Sequence, residues 1–378
     1  MSNSINVMSI FGTRPEAIKM APVVLKLEAQ PAFHSSVAVT AQHRDMLDQV
    51  LHLFDIHPDF DLDIMAPNQS LFDITSRALL GLQDVLSSAK PDIVLVHGDT
   101  TTSFAAALAA FYLHIPVAHV EAGLRTFDKY SPFPEEMNRK LTGSIADLHF
   151  SPTQTSRDNL IREGVDPSHI FVTGNTVIDA LFQTVSDTFS FKNSPLQDFD
   201  FGGKRLLLVT THRRENLGEP MRHVYKALKA LTQTFSDVEV IFPVHKNPKV
   251  RQVVNEELGN LDKIHLIDPL DYAPFANIMA RSTLVLTDSG GLQEEAPALG
   301  KPVLVLRNTT ERPEALEAGT VKLVGTDFDT IYNSAKLLLS DDDEYHKMSN
   351  ASNPYGDGHA SDRIVSVLMQ NAELMRNA

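Results

Sequence analysis

The chain has 378 residues, 43% hydrophobic and 21% charged, an ordinary globular composition whose length fits two domains better than one. A net charge of −15 argues against a nucleic-acid partner, because affinity for a phosphate backbone comes from Lys and Arg; an anionic small ligand, held by a local group of cations, stays open. Cysteine is absent, which removes disulfides, thiolate metal sites and a cysteine nucleophile, while the lack of a bilayer-length apolar run or a signal-peptide pattern in MSNSINVMSIFG makes the cytoplasm, with no membrane partner, the expected compartment.

Short apolar runs at Val7–Phe11, Val37–Thr40, Ile93–His97, Pro116–Val120, Leu148–Phe150 and Ile170–Thr173 alternate with helix-length amphipathic stretches. That alternation predicts βαβ units and therefore a doubly wound α/β domain with a parallel sheet. The periodicity stops across Ser190–Gly203 and restarts with Leu206–Val209, Val238–Phe242, Ile264–Leu266, Leu284–Thr287 and Val303–Leu306, which predicts a second domain of the same architecture. A last periodic stretch, Ala360–Met375, follows the loop NPYGDGH, where Gly356 and Gly358 permit a sharp crossing. Two such domains are expected to face a cleft, and ligands of open parallel sheets sit beyond the carboxyl ends of the strands.

The polar residues after the strands are therefore the candidates. In SIFGTRPEAIK the strand ends at Phe11, Gly12 and Thr13 turn the chain, and a helix opens near Pro15. The pattern is neither G-x-G-x-x-G nor a phosphate loop, so neither a nicotinamide nor ATP is signalled. Arg14 and Lys19 bring two cations to this strand end; Arg14 reads equally as a helix-end partner of Glu16, and Lys19 as a solvated position. DIVLVHGDTTT puts His97, Gly98 and Asp99 after another strand, with Asp99 readable as a helix cap or as a site carboxylate. No histidine pair stands at ligand spacing on a helix, so no metal is expected.

HVEAGLRT delivers Glu121 and Gly123 to the same strand-end level, where an acid is costly unless solvated or paired. The following loop reaches Pro134, Glu135 and Glu136 at a helix start, and Arg139 lies one turn beyond Glu135, either as its i,i+4 partner or as part of a site. In the second half, THRREN carries His212, Arg213, Arg214 and Glu215 after a strand, a group that suits an anionic ligand and proton transfer near neutral pH. LTDSGGLQEEAP then runs Ser289, Gly290 and Gly291 into a helix bearing Glu294 and Glu295. Two glycines admit backbone N–H groups to an anion, and a carboxylate close by can take ribose hydroxyls. Arg312, in TTERPEA, adds a cation after the next strand. The residue chemistry alone outlines a nucleoside diphosphate socket with acid/base groups.

The ordered set FGTRPEAIKMAP, TAQHRDML, VHGDTTT, HVEAGLRT, SPFPEEMNR, HFSPT, TGNTVIDAL, THRREN, LTDSGGLQEEAP, RNTTERPEA, GTD and NPYGDG resembles the non-hydrolysing UDP-N-acetylglucosamine 2-epimerases from Val7 to Gly358. The resemblance implies a fold like that of the B-type glycosyltransferases: residues 1–175 with 360–378 as an N-terminal Rossmann-like domain that takes back the terminal helix, and 176–359 as a C-terminal Rossmann-like domain that binds UDP. It implies active-site roles for Arg14, Lys19, Asp99, Glu121, Glu135, Arg139 and His212, and UDP-holding roles for Phe275, Ser289, Gly290, Gly291, Glu295 and Arg312.

The implied reaction is reversible epimerisation at C2 of UDP-N-acetylglucosamine. That carbon is not next to a carbonyl, so the route is elimination of UDP to 2-acetamidoglucal and re-addition. Asp99, Glu121, Glu135 and His212 would serve as the acid/base set, with Asp99 foremost, and Arg14, Lys19 and Arg312 would carry the charge of the departing pyrophosphate. No cofactor and no metal are implied; a closing hinge, a homodimer and supply of N-acetylmannosamine units to bacterial surface polysaccharide are. Some family members bind UDP-N-acetylglucosamine as an activator; Gln42, His43, Arg213 and His245 match that region, whereas Asp45 and Asn68 depart from the pattern, which leaves activation open. The rivals are a hydrolysing 2-epimerase, a glycosyltransferase of the same fold, and a nucleotide-sugar sensor without catalysis.

Overall fold

A computed structural model describes residues 4–213, 218–259 and 261–372. The chain divides into two compact units, Met1–Phe182 with Tyr355–Ala378, and Gln183–Pro354. Thr176–Phe182 and Tyr355–His359, assigned to the second domain on sequence, thus belong to the first unit. The reason lies at Asp179, whose buried carboxylate accepts from Ala360 N at 3.2 Å, Ser361 N at 2.8 Å and Ser361 Oγ at 2.5 Å. It satisfies the amide donors that open the terminal helix and ties that helix to the unit.

The first unit runs β1 (Ile5–Phe11), α1 (Arg14–Glu28), β2 (Phe33–Val39), α2 (Arg44–Leu53), β3 (Phe60–Asp61), α3 (Leu71–Ala89), β4 (Ile93–His97), α4 (Thr101–Tyr112), β5 (Val117–Val120), α5 (Glu135–Ile145), β6 (Leu148–Ser151), α6 (Gln154–Arg162), β7 (Ile170–Val172) and α7 (Thr176–Thr184). Its seven strands are parallel in the order β3-β2-β1-β4-β5-β6-β7. Met8, Ile10, Val94 and Val96 of the two central strands pack with Ala106, Ala107 and Ala110 of α4 and with Leu82 and Leu86 of α3. The alanines of α4 keep that helix close to the sheet, so its first turn sits directly over the strand ends.

The second unit runs β8 (Arg205–Thr210), α8 (Glu219–Thr234), β9 (Val238–Pro243), α9 (Pro248–Leu258), β10 (Ile264–Ile267), α10 (Tyr272–Arg281), β11 (Leu284–Thr287), α11 (Leu292–Ala298), β12 (Val303–Val305), α12 (Pro313–Glu317), β13 (Val321–Leu323), α13 (Phe328–Ser340) and α14 (Asp342–Ser349), and the terminal helix α15 (Ala360–Gln370) returns to the first. The expected end of α15 at Met375 lies outside the described residues. Six parallel strands stand in the order β10-β9-β8-β11-β12-β13. Neither Phe60–Asp61 nor Val321–Leu323 is foreseen as a strand from the sequence. Both are edge strands of two or three residues, too short for a period to register.

Each sheet reverses its winding direction at one place, between β1 and β4 in the first unit and between β8 and β11 in the second. Loops leaving the carboxyl ends of these two pairs diverge to opposite faces and open a crevice. The chain therefore presents Gly12–Arg14 and Gly98–Asp99 at one switch point, and Thr211–Arg213 and Asp288–Gly291 at the other. Among the described residues no helix is long and apolar enough to cross a membrane.

Candidate functional site

In the first unit a buried carboxylate joins the two turns at the switch point. Glu16 accepts from Gly12 N (3.1 Å), Thr13 N (2.8 Å) and Thr13 Oγ1 (2.8 Å) through one oxygen, and from Thr100 Oγ1 (2.6 Å) and Ser103 Oγ (2.9 Å) through the other. Burial raises its pKa, and these donors oppose the rise. Because Glu16 turns inward, the suggested pairing with Arg14 does not form, and the Arg14 guanidinium has no ion pair among the described residues. Gly12 is required here by packing, since a Cβ would lie 2.0 Å from Thr40 Oγ1 and 2.6 Å from Thr102 Oγ1.

Asp99 is not the cap of α4. That role falls to Thr100, whose hydroxyl accepts from Ser103 N at 3.1 Å. Arg139 instead takes Asp99 Oδ2 through Nε at 2.9 Å and Nη2 at 2.7 Å, and Asn138 Nδ2 donates to the Asp99 carbonyl at 2.9 Å. The expected Glu135–Arg139 pair is also replaced: Arg139 Nη1 meets Glu136 Oε2 at 3.0 Å. Glu136 is buried because it also accepts the loop amides of Thr126 (3.1 Å) and Phe127 (3.0 Å), which draws the guanidinium toward it and toward Asp99. Among the described residues Glu135 Oε2 is buried with no hydrogen-bond partner, a costly state for a carboxylate oxygen.

Glu121 follows β5 with φ of +61°, a left-handed conformation that costs a non-glycine residue free energy. Its side chain forms an ion pair with Lys19 Nζ and accepts from Asn175 Nδ2 at 2.9 Å. His97 Nε2 stands 3.4 Å from its other oxygen. Strand pairing puts His97 opposite Val120, so Asp99 and Glu121 leave neighbouring strands side by side. Gln42 and His43 lie on the next loop of the same unit: Gln42 Oε1 accepts from Thr102 Oγ1 at 3.2 Å, and His43 precedes α2 with its amide 3.4 Å from Gly12 O.

In the second unit the switch point centres on Asp288, an acid the sequence reading passed over. It is fully buried, accepts from His212 N and Arg213 N at 2.9 Å each, and lies 2.8 Å from His212 Nδ1. Burial alone would raise its pKa, but the imidazole and the two amides outweigh it and leave the value lowered. A carboxylate beside Nδ1 favours a proton on that nitrogen and leaves Nε2, in an exposed side chain, turned to other partners. The signal available in the sequence was an acid ending an apolar strand, LVLTD, a place tolerated only with partners. His245 stacks near the imidazole, with ring centroids 6.3 Å apart, and Arg213 Nη2 is 3.9 Å from Glu311. Arg214 and Glu215 lie outside the described residues.

The Ser289–Gly291 turn has room for a ligand. Ser289 N donates to Thr287 Oγ1 at 2.9 Å, whereas the Gly290 and Gly291 amides have no acceptor among the described residues. A Cβ on Gly290 would meet nothing within 4 Å, and neither glycine adopts positive φ, so no packing or backbone demand inside the unit explains the pair. Glu294 is buried in an ion pair with Arg312 Nε, while Glu295 Oε1 lies 3.4 Å from Tyr272 OH. Phe275 is half-buried on α10 one turn after Asp271, whose carbonyl accepts its amide at 3.0 Å. Among the described residues no group of histidines and acids has the arrangement of a metal site.

Residues 25–369 match the family described as UDP-N-acetylglucosamine 2-epimerase. The chain belongs to the UDP-N-acetylglucosamine 2-epimerase family. A Bacillus subtilis protein of that name is 60% identical over 97% of this chain and 95% of its own length, and one from Escherichia coli K12 is 56% identical over 97% and 98%. A solved UDP-GlcNAc 2-epimerase from Neisseria meningitidis, bound to UDP-GlcNAc, superposes with a TM-score of 0.86 at 50% identity, covering 97% of this chain and all of that one. Likeness to a glycosyltransferase at 12% identity and a TM-score of 0.67 shows the fold alone, which is α/β with two Rossmann-like units of the glycosyltransferase-B kind.

Proposed function

We propose that this 2-epimerase-family enzyme interconverts UDP-N-acetylglucosamine and UDP-N-acetylmannosamine, keeping UDP and the eliminated sugar both bound until they rejoin, so that no free sugar is released. The observation that carries the reading is the side-by-side exit of Asp99 and Glu121 from neighbouring strands, each carboxylate held by its own cation, Arg139 and Lys19. A base takes the C2 proton; the C–H electrons form the C1–C2 double bond, and the C1–O bond breaks with its pair leaving on UDP. Re-addition of the UDP oxygen at C1, with a proton delivered to the opposite face of C2, completes the inversion. Two proton-transfer groups are needed, one for each face, and Asp99, Glu121, Glu135 and His212 are the groups of suitable type.

In this reading the second unit holds UDP: the Gly290 and Gly291 amides serve phosphate oxygens, Glu295 the ribose hydroxyls, Phe275 the base, and Arg312 the pyrophosphate charge. Arg14, without an ion pair among the described residues, is the cation proposed to stabilise the leaving diphosphate from the first unit. Gln42 and His43 in the first unit, and Arg213 and His245 in the second, are proposed contacts for an activating second UDP-N-acetylglucosamine, which a sigmoidal rate curve tests. The product would feed cell-surface polysaccharide from the cytoplasm, and the enzyme would act as a homodimer.

Incubation with UDP-N-acetylglucosamine in deuterated water, followed by NMR, is the test. UDP-N-acetylmannosamine carrying deuterium at C2 is the expected product. Free N-acetylmannosamine would instead assign the hydrolysing reaction, transfer only in the presence of an acceptor a glycosyltransferase, and unchanged ligand a sensor.

A further inference from the structure

A fully buried histidine stands against Glu121 without a role in the reaction as written. His97 ends β4 with its Nε2 3.4 Å from Glu121 Oε2 and no hydrogen-bond partner among the described residues, while the ring is shut away from solvent. Desolvation brings its pKa down to about 4; Glu121 opposes that fall and Lys19 adds to it. At neutral pH the ring is therefore uncharged. A neutral imidazole can offer an N–H to a carboxylate or a lone pair to a carboxylic acid by changing tautomer. A lysine or arginine in its place would favour only the ionised form.

The rest of the surroundings fix where the carboxyl can lie. Asn175 Nδ2 donates to Oε1 at 2.9 Å, and Asn175 is itself held by its amide on Tyr355 O at 2.7 Å and by Val177 N on its Oδ1 at 3.1 Å. A Cβ at Gly98, which has φ of +64°, would come within 3.3 Å of Glu121 Oε2. The charged and titratable groups facing Glu121 include Lys19 on α1 and His97 on β4. His119 on β5 is turned away to Gly98 O at 2.7 Å. This explains why TGNTVIDAL and NPYGDG, far apart in sequence, meet beside the carboxylate.

We propose that His97 and Asn175 are positioning residues for Glu121: the imidazole partners the carboxyl both before and after it carries a proton, and the amide holds Oε1 so that the carboxyl plane stays fixed. The inference rests on the reading of Glu121 as a proton-transfer group, so Glu121→Gln is the first arm of the test. Turnover of that variant near wild type would overturn the reading of Glu121, whereas its loss leaves the arms below to decide on His97 and Asn175.

The decisive arms are His97→Gln, whose amide can reach Oε2 and can donate or accept, and His97→Asn, whose amide is too short. The expected result is that His97→Gln keeps kcat within about 5-fold while His97→Asn loses about 30-fold or more, with KM for UDP-N-acetylglucosamine unchanged in both; these factors lie inside the range usual for proton-transfer partners. Asn175→Leu removes a donor to the ionised carboxylate, so the acid limb of the kcat/KM profile moves to higher pH. Equal loss in His97→Gln and His97→Asn, with an unmoved acid limb in Asn175→Leu, would overturn the proposal, since a purely structural role changes the amount of folded enzyme and not the limb. Thermal melts of each variant identify the folded samples on which the kinetics are read.

Discussion

Replacing Asp288 by Asn changes one atom and should silence His212. In the native protein Oδ2 accepts two backbone amides at 2.9 Å, and Oδ1 faces His212 Nδ1 at 2.8 Å. The single oxygen of an asparagine would stay with the two amides, because leaving both N–H groups unpaired in a buried place costs about 1–3 kcal/mol each. Its NH2 group then points at Nδ1, which must become the acceptor, and the ring proton moves to Nε2. The nitrogen left for the substrate turns from lone pair to donor. A misplaced general acid/base costs about 10²–10⁴-fold in rate, or roughly 3–5 kcal/mol at about 1.4 kcal/mol per tenfold change. The assay is the rate of C2 deuteration by NMR, with UDP affinity by calorimetry as control and a thermal melt to show that the fold persists. Deuteration within about 3-fold of wild type, with folded protein, would refute the role assigned to the pair. The lowered pKa of Asp288 also carries a sign: its contribution to stability is complete above the ordinary carboxylate value, near 3.9, and is lost as pH falls through the depressed folded value, so Asp288→Asn should flatten that acid limb of the stability curve.

Glu16→Ala should lower stability by roughly 3 kcal/mol or more in denaturant titration, since the donors from Gly12, Thr13, Thr100 and Ser103 lose their shared acceptor, while Glu16→Gln should lose far less; equal losses would contradict the bridge between the two turns. His97, His119 and His149 are buried and neutral, with pKa values brought down to about 4, 3 and 4 mainly by desolvation, so their contribution is complete above the ordinary histidine value near 6.5 and is lost as pH falls through the folded values. Each contributes on the order of 3 kcal/mol across that window, and thermal melts between pH 7 and pH 4.5 should show a falling Tm whose slope diminishes in His149→Gln. Gly98→Ala places a Cβ against Glu121 Oε2 in a left-handed turn; a stability loss of about 1–2 kcal/mol and a kcat loss larger than any rise in KM are expected, and unchanged kcat would show that Glu121 is not held where the geometry puts it.

The strands most legible in the sequence were Ile93–His97 and Leu284–Thr287, which match β4 and β11 end for end. Each is an unbroken apolar run closed by a polar turn, so composition and boundary signal agree. The placement of the candidate residues beside those turns was legible for the same reason: a strand end is a definite address, and Asp99, Glu121, His212 and Gly290 all stand at one. What could not be read was which charges meet. Arg139 has an acid one turn away in Glu135, yet it chooses Glu136 and Asp99, the latter 40 positions earlier. Asp288 and His212 are 76 positions apart, and Asn175 reaches Glu121 across 54. Side-chain partnership across a parallel sheet depends on strand order, and strand order is not written in local pattern.

The departures from good folding practice in the first unit gather at one place. Among the described residues Glu121 holds a left-handed backbone, Glu135 keeps a buried oxygen without a hydrogen bond, and His97 is shut in next to an acid without a full hydrogen bond to it. Each lowers stability when taken alone. Structural ion pairs elsewhere in the unit are built differently: Arg125 grips Glu163 through two nitrogens at 3.0 and 2.8 Å, and Arg44 spreads over Asp48, Asp61 and Asp63. Those arrangements satisfy both partners. At the carboxyl ends of β4 and β5, Asp99 and Glu121 are instead oriented by Arg139 and Lys19 beside these unfavourable groups, an arrangement that would suit the proton transfer proposed for them.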